Sequence, residues 1–140
     1  MRAGPIVLAL LAVPTVLLAQ TSISPAEAAQ HVGETATVCG TVASATYAAH
    51  SKGRPTFLNL DRPYPDQVFT VLIWGSDSQS FPVAPVDAYA QKRICVTGRI
   101  TLFKGVAEIV VRGPGAIRVV SQQGGSGEAA GALGVPGQAA

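Results

Sequence analysis

Five short segments rich in β-branched and aromatic residues, separated by turns that contain proline or glycine, constrain the fold of this chain most strongly. The two longest segments alternate: Val38, Gly40 and Val42 share one parity in the first, and Ile94 and Val96 share one in the second. Such alternation is typical of half-buried β-strands. The sequence therefore predicts five strands, over residues 35–47, 56–61, 67–74, 93–103 and 106–111.

Short helices are predicted around these strands. Ser24, Pro25 and Glu27 form a capping-box start for one or two helical turns. Residues 86–91 follow two prolines and predict a short helix between the third and fourth strands, and residues 117–120 are a candidate closing strand. Five strands with turns at short intervals favour a sandwich or a small barrel.

The first 20 residues have the pattern of a targeting segment. Arg2 precedes a long apolar run that Pro14 interrupts and the small residue Ala19 ends, which predicts a signal peptide over residues 1–20. A membrane anchor is the alternative, although no stop-transfer charges follow the run. The signal peptide predicts a periplasmic or secreted protein.

The remainder divides into one domain and a tail. Residues 121–140 consist mostly of Gly, Ala, Gln and Ser, and this composition predicts a disordered tail. Residues 23–120 then form one domain of ordinary size. The formal net charge is +2 and falls to +1 without Arg2, which argues against a strongly basic, dedicated nucleic-acid binder and leaves room for a local basic patch.

Three segments carry a resemblance to a known family. Residues 32–42 and 92–100 resemble the paired first and fourth strands of OB-fold domains, and Phe-Leu-Asn-Leu-Asp at 57–61 resembles the second strand of the anticodon-binding type. In that type the phenylalanine faces outward and stacks on a base. Residues 23–120 as a whole look like small exported bacterial OB domains labelled as nucleic-acid- or DNA-binding. The resemblance implies an all-β fold, a five-stranded Greek-key OB-fold barrel with a short helix between strands 3 and 4.

The resemblance also bears on the two cysteines. Cys39 and Cys95 both lie on the outer parity of strands that are antiparallel neighbours in an OB barrel. Directly opposed residues there have Cα atoms ~4.5–5.5 Å apart, a separation that a disulfide accepts. Because an exported chain folds in an oxidising compartment, we predict a Cys39–Cys95 disulfide. Two unpaired cysteines are the alternative.

A candidate ligand face follows from the same family. OB-folds bind oligonucleotides and oligosaccharides on strands 2 and 3 and on the loops between strands 1 and 2 and strands 4 and 5. Rings on such a face can stack bases, and cations can follow the phosphates. The alternative is that Phe57 and Trp74 pack under loops and that the cations are solvated. The predicted ligand-binding residues are Tyr47, Lys52, Arg54, Phe57, Asn59, Trp74 and Lys104, and His50, Thr70 and Phe103 lie on the same elements.

Catalytic and metal-binding motifs are missing from the sequence. It has no Gly-x-Ser-x-Gly motif, no phosphate-cradling glycine-rich loop and no evident carboxylate pair. His31 and His50, the two histidines, are far apart and lack metal-ligand spacing. We therefore expect a protein that is not an enzyme and that needs neither a metal nor another cofactor.

Two classes of function fit these features. The first is an exported OB-fold binding module that holds single-stranded nucleic acid or a similar extended ligand on strands 2 and 3. The second is an envelope module, or a stress-related one, that binds protein, peptide or glycan and never nucleic acid, as the near-neutral charge and the leader favour. A mere spacer domain is a third. No membrane contact is expected after signal cleavage, and the sequence leaves the oligomeric state open.

Overall fold

A computed structural model describes residues 2–16 and 21–121 of the chain, and its regular elements all lie in the second range. The strands are β1 (Ser22–Ile23), β2 (Thr35–Tyr47), β3 (Thr56–Leu60), β4 (Phe69–Ile73), β5 (Arg93–Phe103), β6 (Val106–Val110) and β7 (Ile117–Val119). The helices are α1 (Gly75–Ser78), α2 (Pro85–Ala88) and two 3-10 helices, Pro25–His31 and Pro114–Ala116. The prediction of an all-β fold is confirmed.

Five of the strands pair in a circuit. β2 pairs with β3, β3 with β4, and β5 with both β6 and β2, all antiparallel, whereas β4 and β6 pair in parallel. The circuit closes because each of the two long strands, β2 and β5, pairs with two neighbouring strands of the circuit. β2 pairs with β5 along residues 35–41 and with β3 along residues 42–47. β5 in turn pairs with β6 through its last four residues, 100–103.

The predicted five-stranded barrel is corrected to a seven-stranded mixed sheet. β1 pairs with β2 in parallel and β7 pairs with β5 antiparallel, so both extend the sheet beyond the circuit. β7 corresponds to the closing strand predicted over residues 117–120, whereas β1, with two residues, is too short for a period-two pattern to reveal it. The short helix predicted over residues 86–91 corresponds to α2, which begins one residue earlier at Pro85 and ends at Ala88, whereas the single-turn helix α1 was not predicted.

The core lies inside the circuit and uses the parity that the alternation predicted. Val38 and Val42 on β2 and Ile94, Val96 and Ile100 on β5 are all fully or almost fully buried. β4 is buried along its whole length, which agrees with its apolar sequence on both faces. One face of every strand in the circuit therefore contributes to one hydrophobic core, and β4 is buried on its opposite face as well.

The predicted disulfide is confirmed. Cys39 on β2 and Cys95 on β5 are directly paired, with Cα atoms 4.0 Å apart, and their sulfur atoms are bonded. On the same outer face, the hydroxyl oxygens of Thr37 and Thr97 lie 2.8 Å apart in the next pair. The covalent bond therefore crosses the β2–β5 pairing that closes the circuit.

The capping box predicted before the first long strand is present, on a 3-10 helix. The Ser24 hydroxyl accepts a hydrogen bond from the Glu27 backbone N–H, and the Glu27 carboxylate accepts one from the Ser24 backbone N–H. The backbone N–H of Ser24 and, second, its hydroxyl both donate to the Glu27 carboxylate, and these two bonds lower the pKa of Glu27 below its ordinary value. The helix buries Pro25 and Ala28 against the strands and thus covers one end of the core.

The described part of the N-terminal segment, residues 2–16, precedes the folded domain. Residues 2–16 carry no regular secondary structure, and their side chains are exposed. Residues 17–20 and 122–140 lie outside the described residues, and with them most of the predicted tail and part of the predicted signal peptide. No helix in the described part of the chain is long and apolar enough to cross a membrane.

Candidate binding groove

An open groove of about 610 Å³ lies on the outer face of β3, β4 and β6. The loop between β3 and β4 forms one side, and the turn between β5 and β6 forms the other. That turn consists of Lys104 and Gly105, which both have positive φ, as a tight two-residue hairpin requires. The groove is lined by Thr46, Phe57, Asn59, Tyr64, Pro65, Gln67, Thr70, Phe103, Lys104, Val106 and Glu108.

A row of polar side chains at paired positions on five strands crosses this face, and its members Asn59, Thr70 and Glu108 line the floor of the groove. Ser44 is paired with Asn59, Asn59 with Thr70, and Thr70 with Glu108, which is also paired with Thr101. Asn59, Thr70 and Glu108 are only 3%, 6% and 8% exposed. Buried polar groups cost free energy unless they find partners, so the hydrogen bonds of this row decide what the groove can bind.

The hydrogen bonds in the row run in one direction. The Thr70 hydroxyl donates to Oδ1 of Asn59 at 2.8 Å, and Nδ2 of Asn59 donates to the Ser44 hydroxyl at 3.0 Å. The backbone N–H of Tyr64 also donates to the Ser44 hydroxyl, at 3.2 Å, and so connects the row to the loop after β3. The row is thereby fixed in place, and its protons point away from Glu108.

Glu108 forms no side-chain hydrogen bond or salt bridge with any residue of the described ranges 2–16 and 21–121. Its other hydroxyl neighbour, Thr101, donates to the Glu108 backbone carbonyl at 3.3 Å. Burial raises the pKa of the Glu108 carboxyl, because the ionised form loses hydration. The groove therefore has a carboxyl group on its floor that the protein itself does not satisfy.

Replacing Glu108 with glutamine should change how stability depends on pH. Folding raises the pKa of Glu108, so the folded protein is more stable while this carboxyl is protonated, at acid pH. That stability is lost as the pH rises through the folded-state pKa. We expect Glu108→Gln to have a higher Tm than the wild type at neutral pH. The difference should vanish below about pH 4.3, the ordinary pKa of glutamate.

Thermal unfolding followed by circular dichroism across this pH range would measure the difference. Asp66→Asn removes the same charge from an exposed position on the neighbouring loop and is the matched control. It should show no such pH-dependent gain in Tm. A Glu108→Gln variant that is less stable than the wild type at neutral pH would contradict the destabilising role of the buried carboxylate.

Aromatic rings flank the polar row. Phe57 on β3 is half-buried, whereas Phe103 at the end of β5 and Tyr64 on the loop after β3 are exposed. Nζ of Lys104 lies 5.4 Å from the centre of the Phe103 ring, within the range of a cation–π contact. The groove thus combines flat apolar surfaces with one cation at its rim.

The predicted ligand-binding residues do not all share this groove. Phe57, Asn59 and Lys104 line it, as do Thr70 and Phe103. Trp74 and Arg54 line a second hollow of about 420 Å³ near the loop between β2 and β3. Trp74 is 40% exposed, and its ring packs so closely on Gly53 that a Cβ atom there would lie 2.8 Å from Cε3. Tyr47, Lys52 and His50 are exposed and line neither hollow.

Six groove residues escaped the sequence-based prediction: Thr46, Tyr64, Pro65, Gln67, Val106 and Glu108. Glu108 had a usable signal, since it lies between buried Ala107 and Ile109 on a predicted strand and therefore belongs to the outer parity. Tyr64 belongs to the double-proline turn, where no periodicity indicates a direction, and Gln67, predicted as the first residue of a strand, lies before β4 begins at Phe69. Oε1 of Gln67 is buried and has no hydrogen-bond partner in the described part of the chain.

The groove offers no metal site. Within residues 2–16 and 21–121, no three His, Cys, Asp or Glu side chains lie close enough together to hold a metal ion. His31 instead lies beside Glu34 at the end of the first 3-10 helix, away from the groove.

Comparison with known proteins gives structural similarities only. A putative aspartyl-tRNA synthetase from Leishmania major Friedlin is similar at 17% identity and a TM-score of 0.48, over 81% of this chain and 23% of that one. The aspartyl-tRNA synthetase from Entamoeba histolytica is similar at 21% identity and a TM-score of 0.43, over 66% of this chain and 19% of that one. An OBody, AM1L10, bound to hen egg-white lysozyme is similar at 18% identity and a TM-score of 0.48, over 77% of this chain and 100% of that one.

The chain therefore spans about a fifth of the two synthetases to which it is similar. No protein-family model and no curated protein matches the sequence. At these identities and TM-scores the similarities assign neither a family nor a function, so the groove itself has to support any proposal.

Proposed function

We propose that this protein is an exported OB-fold binding module that holds a short single-stranded nucleic acid in the groove on β3, β4 and β6. The pairing circuit of five strands, with β4 parallel to β6, supports the OB-fold assignment. The disulfide supports export to an oxidising compartment. OB-folds bind oligonucleotides on the strand face and at the β5–β6 side where this groove lies.

One observation carries the nucleic-acid proposal: Phe57, Phe103, Tyr64 and Lys104 line a single groove. Stacking on aromatic rings and neutralising phosphates are the two interactions that single-stranded nucleic acids require. The rings accept any base, whereas Lys104 at the rim provides one contact to the backbone. With a mature net charge near +1, we expect modest affinity that depends weakly on salt.

The alternative is an exported OB module that binds peptide, protein or glycan in the same groove. The buried carboxyl of Glu108 favours it, because a carboxylate repels phosphate and attracts donor-rich ligands. The absence of strong positive charge favours it as well. A module that binds no oligonucleotide at low salt belongs to this second class.

Replacing Lys104 with alanine tests the nucleic-acid proposal. Anisotropy of dye-labelled oligonucleotides would measure the affinity at several salt concentrations; Trp74 is an unsuitable probe because it lies outside the groove. If Lys104 neutralises one phosphate, the slope of log affinity against log salt should become shallower by about 0.7. Lys52→Ala, a loop cation that does not line the groove, should leave the slope unchanged.

If the salt dependence of affinity became shallower in Lys52→Ala and not in Lys104→Ala, the phosphate backbone of the oligonucleotide would lie on the β2–β3 loop. That result would contradict the groove assignment. No binding by the wild type at low salt would exclude the nucleic-acid proposal altogether.

A further inference from the structure

Glu108 and its neighbours leave the groove with an excess of hydrogen-bond acceptors. The single hydroxyl proton of Thr70 is directed to Asn59, and that of Thr101 is directed to the Glu108 backbone carbonyl. Neither hydroxyl beside Glu108 therefore has a proton left for its carboxyl group. Oε1 of Gln67, on the same lining, is a further acceptor without a partner in the described residues.

The groove side chains that carry donor groups, among them Tyr64, Gln67 and Lys104, form no hydrogen bond with the Glu108 carboxyl within the described ranges. Lys104 lines the groove but forms no ion pair with Glu108 within the described ranges. Phe57, Phe103 and Val106 have no polar side-chain atoms. Because the Glu108 carboxyl keeps some contact with solvent in the open groove, a ligand that brings an N–H group to it replaces water with a charge-assisted hydrogen bond. The groove is thus built for a ligand that donates at this point.

We infer that Glu108 is a specificity-determining residue that selects cytosine over thymine at one position of the bound strand. This inference rests on the proposed function. Both pyrimidines can stack on the same ring, but cytosine presents an N4 amino group where thymine presents the O4 carbonyl. A carboxylate accepts a hydrogen bond from the amino group and repels the carbonyl oxygen. Glutamate accepting from cytosine N4 is an established base contact.

The position of Glu108 fits this role. It is the fourth of the five residues in the polar row, between Thr70 on β4 and Thr101 on β5, and it is only 8% exposed. Its backbone is paired on both sides, by β4 and β5, so the carboxyl group is held on a rigid element. A rigid acceptor flanked by stacking rings can distinguish bases by their edges.

The test compares dC and dT oligonucleotides of equal length, dye-labelled and measured by anisotropy near neutral pH. We expect the wild-type protein to bind the dC oligonucleotide about tenfold more tightly, at the lower end of what a specific base contact provides. In Glu108→Gln the amide both donates and accepts, so affinity for dC should fall, affinity for dT should rise, and the ratio should approach one.

Asp66→Asn is the control for charge. It removes one negative charge near the groove without touching the lining, so both affinities should shift together and the tenfold ratio should remain. Equal binding of dC and dT by the wild type, or a ratio that Glu108→Gln leaves unchanged, would overturn the inference while leaving the proposed function intact. No binding of either oligonucleotide by any variant would instead overturn the proposed function, and this inference with it.

Discussion

Replacing both Cys39 and Cys95 with alanine is expected to lower the free energy of unfolding by about 3–4 kcal/mol. The disulfide closes a loop with a sequence separation of 56 residues, so it removes much of the conformational freedom of the unfolded chain. It also crosses the pairing of β2 with β5, which closes the strand circuit. Urea unfolding of the oxidised wild type and the double variant would measure the loss.

The reduced wild-type protein is the matched control, because it loses the covalent bond and keeps both side chains. Its stability should equal that of the double variant within the error of the extrapolation. A reduced protein as stable as the oxidised one would show that the β2–β5 pairing needs no covalent support. A double variant much less stable than the reduced protein would assign the effect to packing of the sulfur atoms.

Replacing Phe57 and Phe103 together with alanine is expected to weaken oligonucleotide binding by about 2–6 kcal/mol, since each stacked base contributes about 1–3 kcal/mol. The lower limit corresponds to roughly a thirtyfold increase in Kd. Both rings line the groove, one at each side of the polar row, so they offer stacking surfaces to different bases. Anisotropy titrations with the oligonucleotides used above would measure the change.

Tyr47→Ala is the control for the loss of an aromatic ring. Tyr47 is exposed at the end of β2, was a candidate from the sequence, and lies outside both hollows. Its loss should leave Kd unchanged if the ligand occupies the groove. Because Phe57 is half-buried, a thermal melt of the double variant is needed alongside the titration. A folded double variant that binds like the wild type would contradict the stacking role.

The candidate site was predictable where side chains lie on regular strands, and at Lys104 in the two-residue turn between β5 and β6. Phe57 and Asn59 lie two residues apart on β3, so the period of two places both side chains on the same outer face. Trp74 follows the end of β4 and starts a helical turn, where alternation gives no direction. Its packing on Gly53 depends on the fold of the loop between β2 and β3, which the sequence pattern does not contain.

The sequence by itself determined the local structure of this protein: the bounds of β2 and β5, the buried parity and the capping box after Ser24. Those features depend on residues close together in the chain, so period and capping rules describe them. Only the tertiary structure decided which outward residues meet, because pairing of distant strands sets the neighbours across a sheet. It placed Glu108 beside Thr70 and Thr101, and it directed the protons of both away from the carboxyl group.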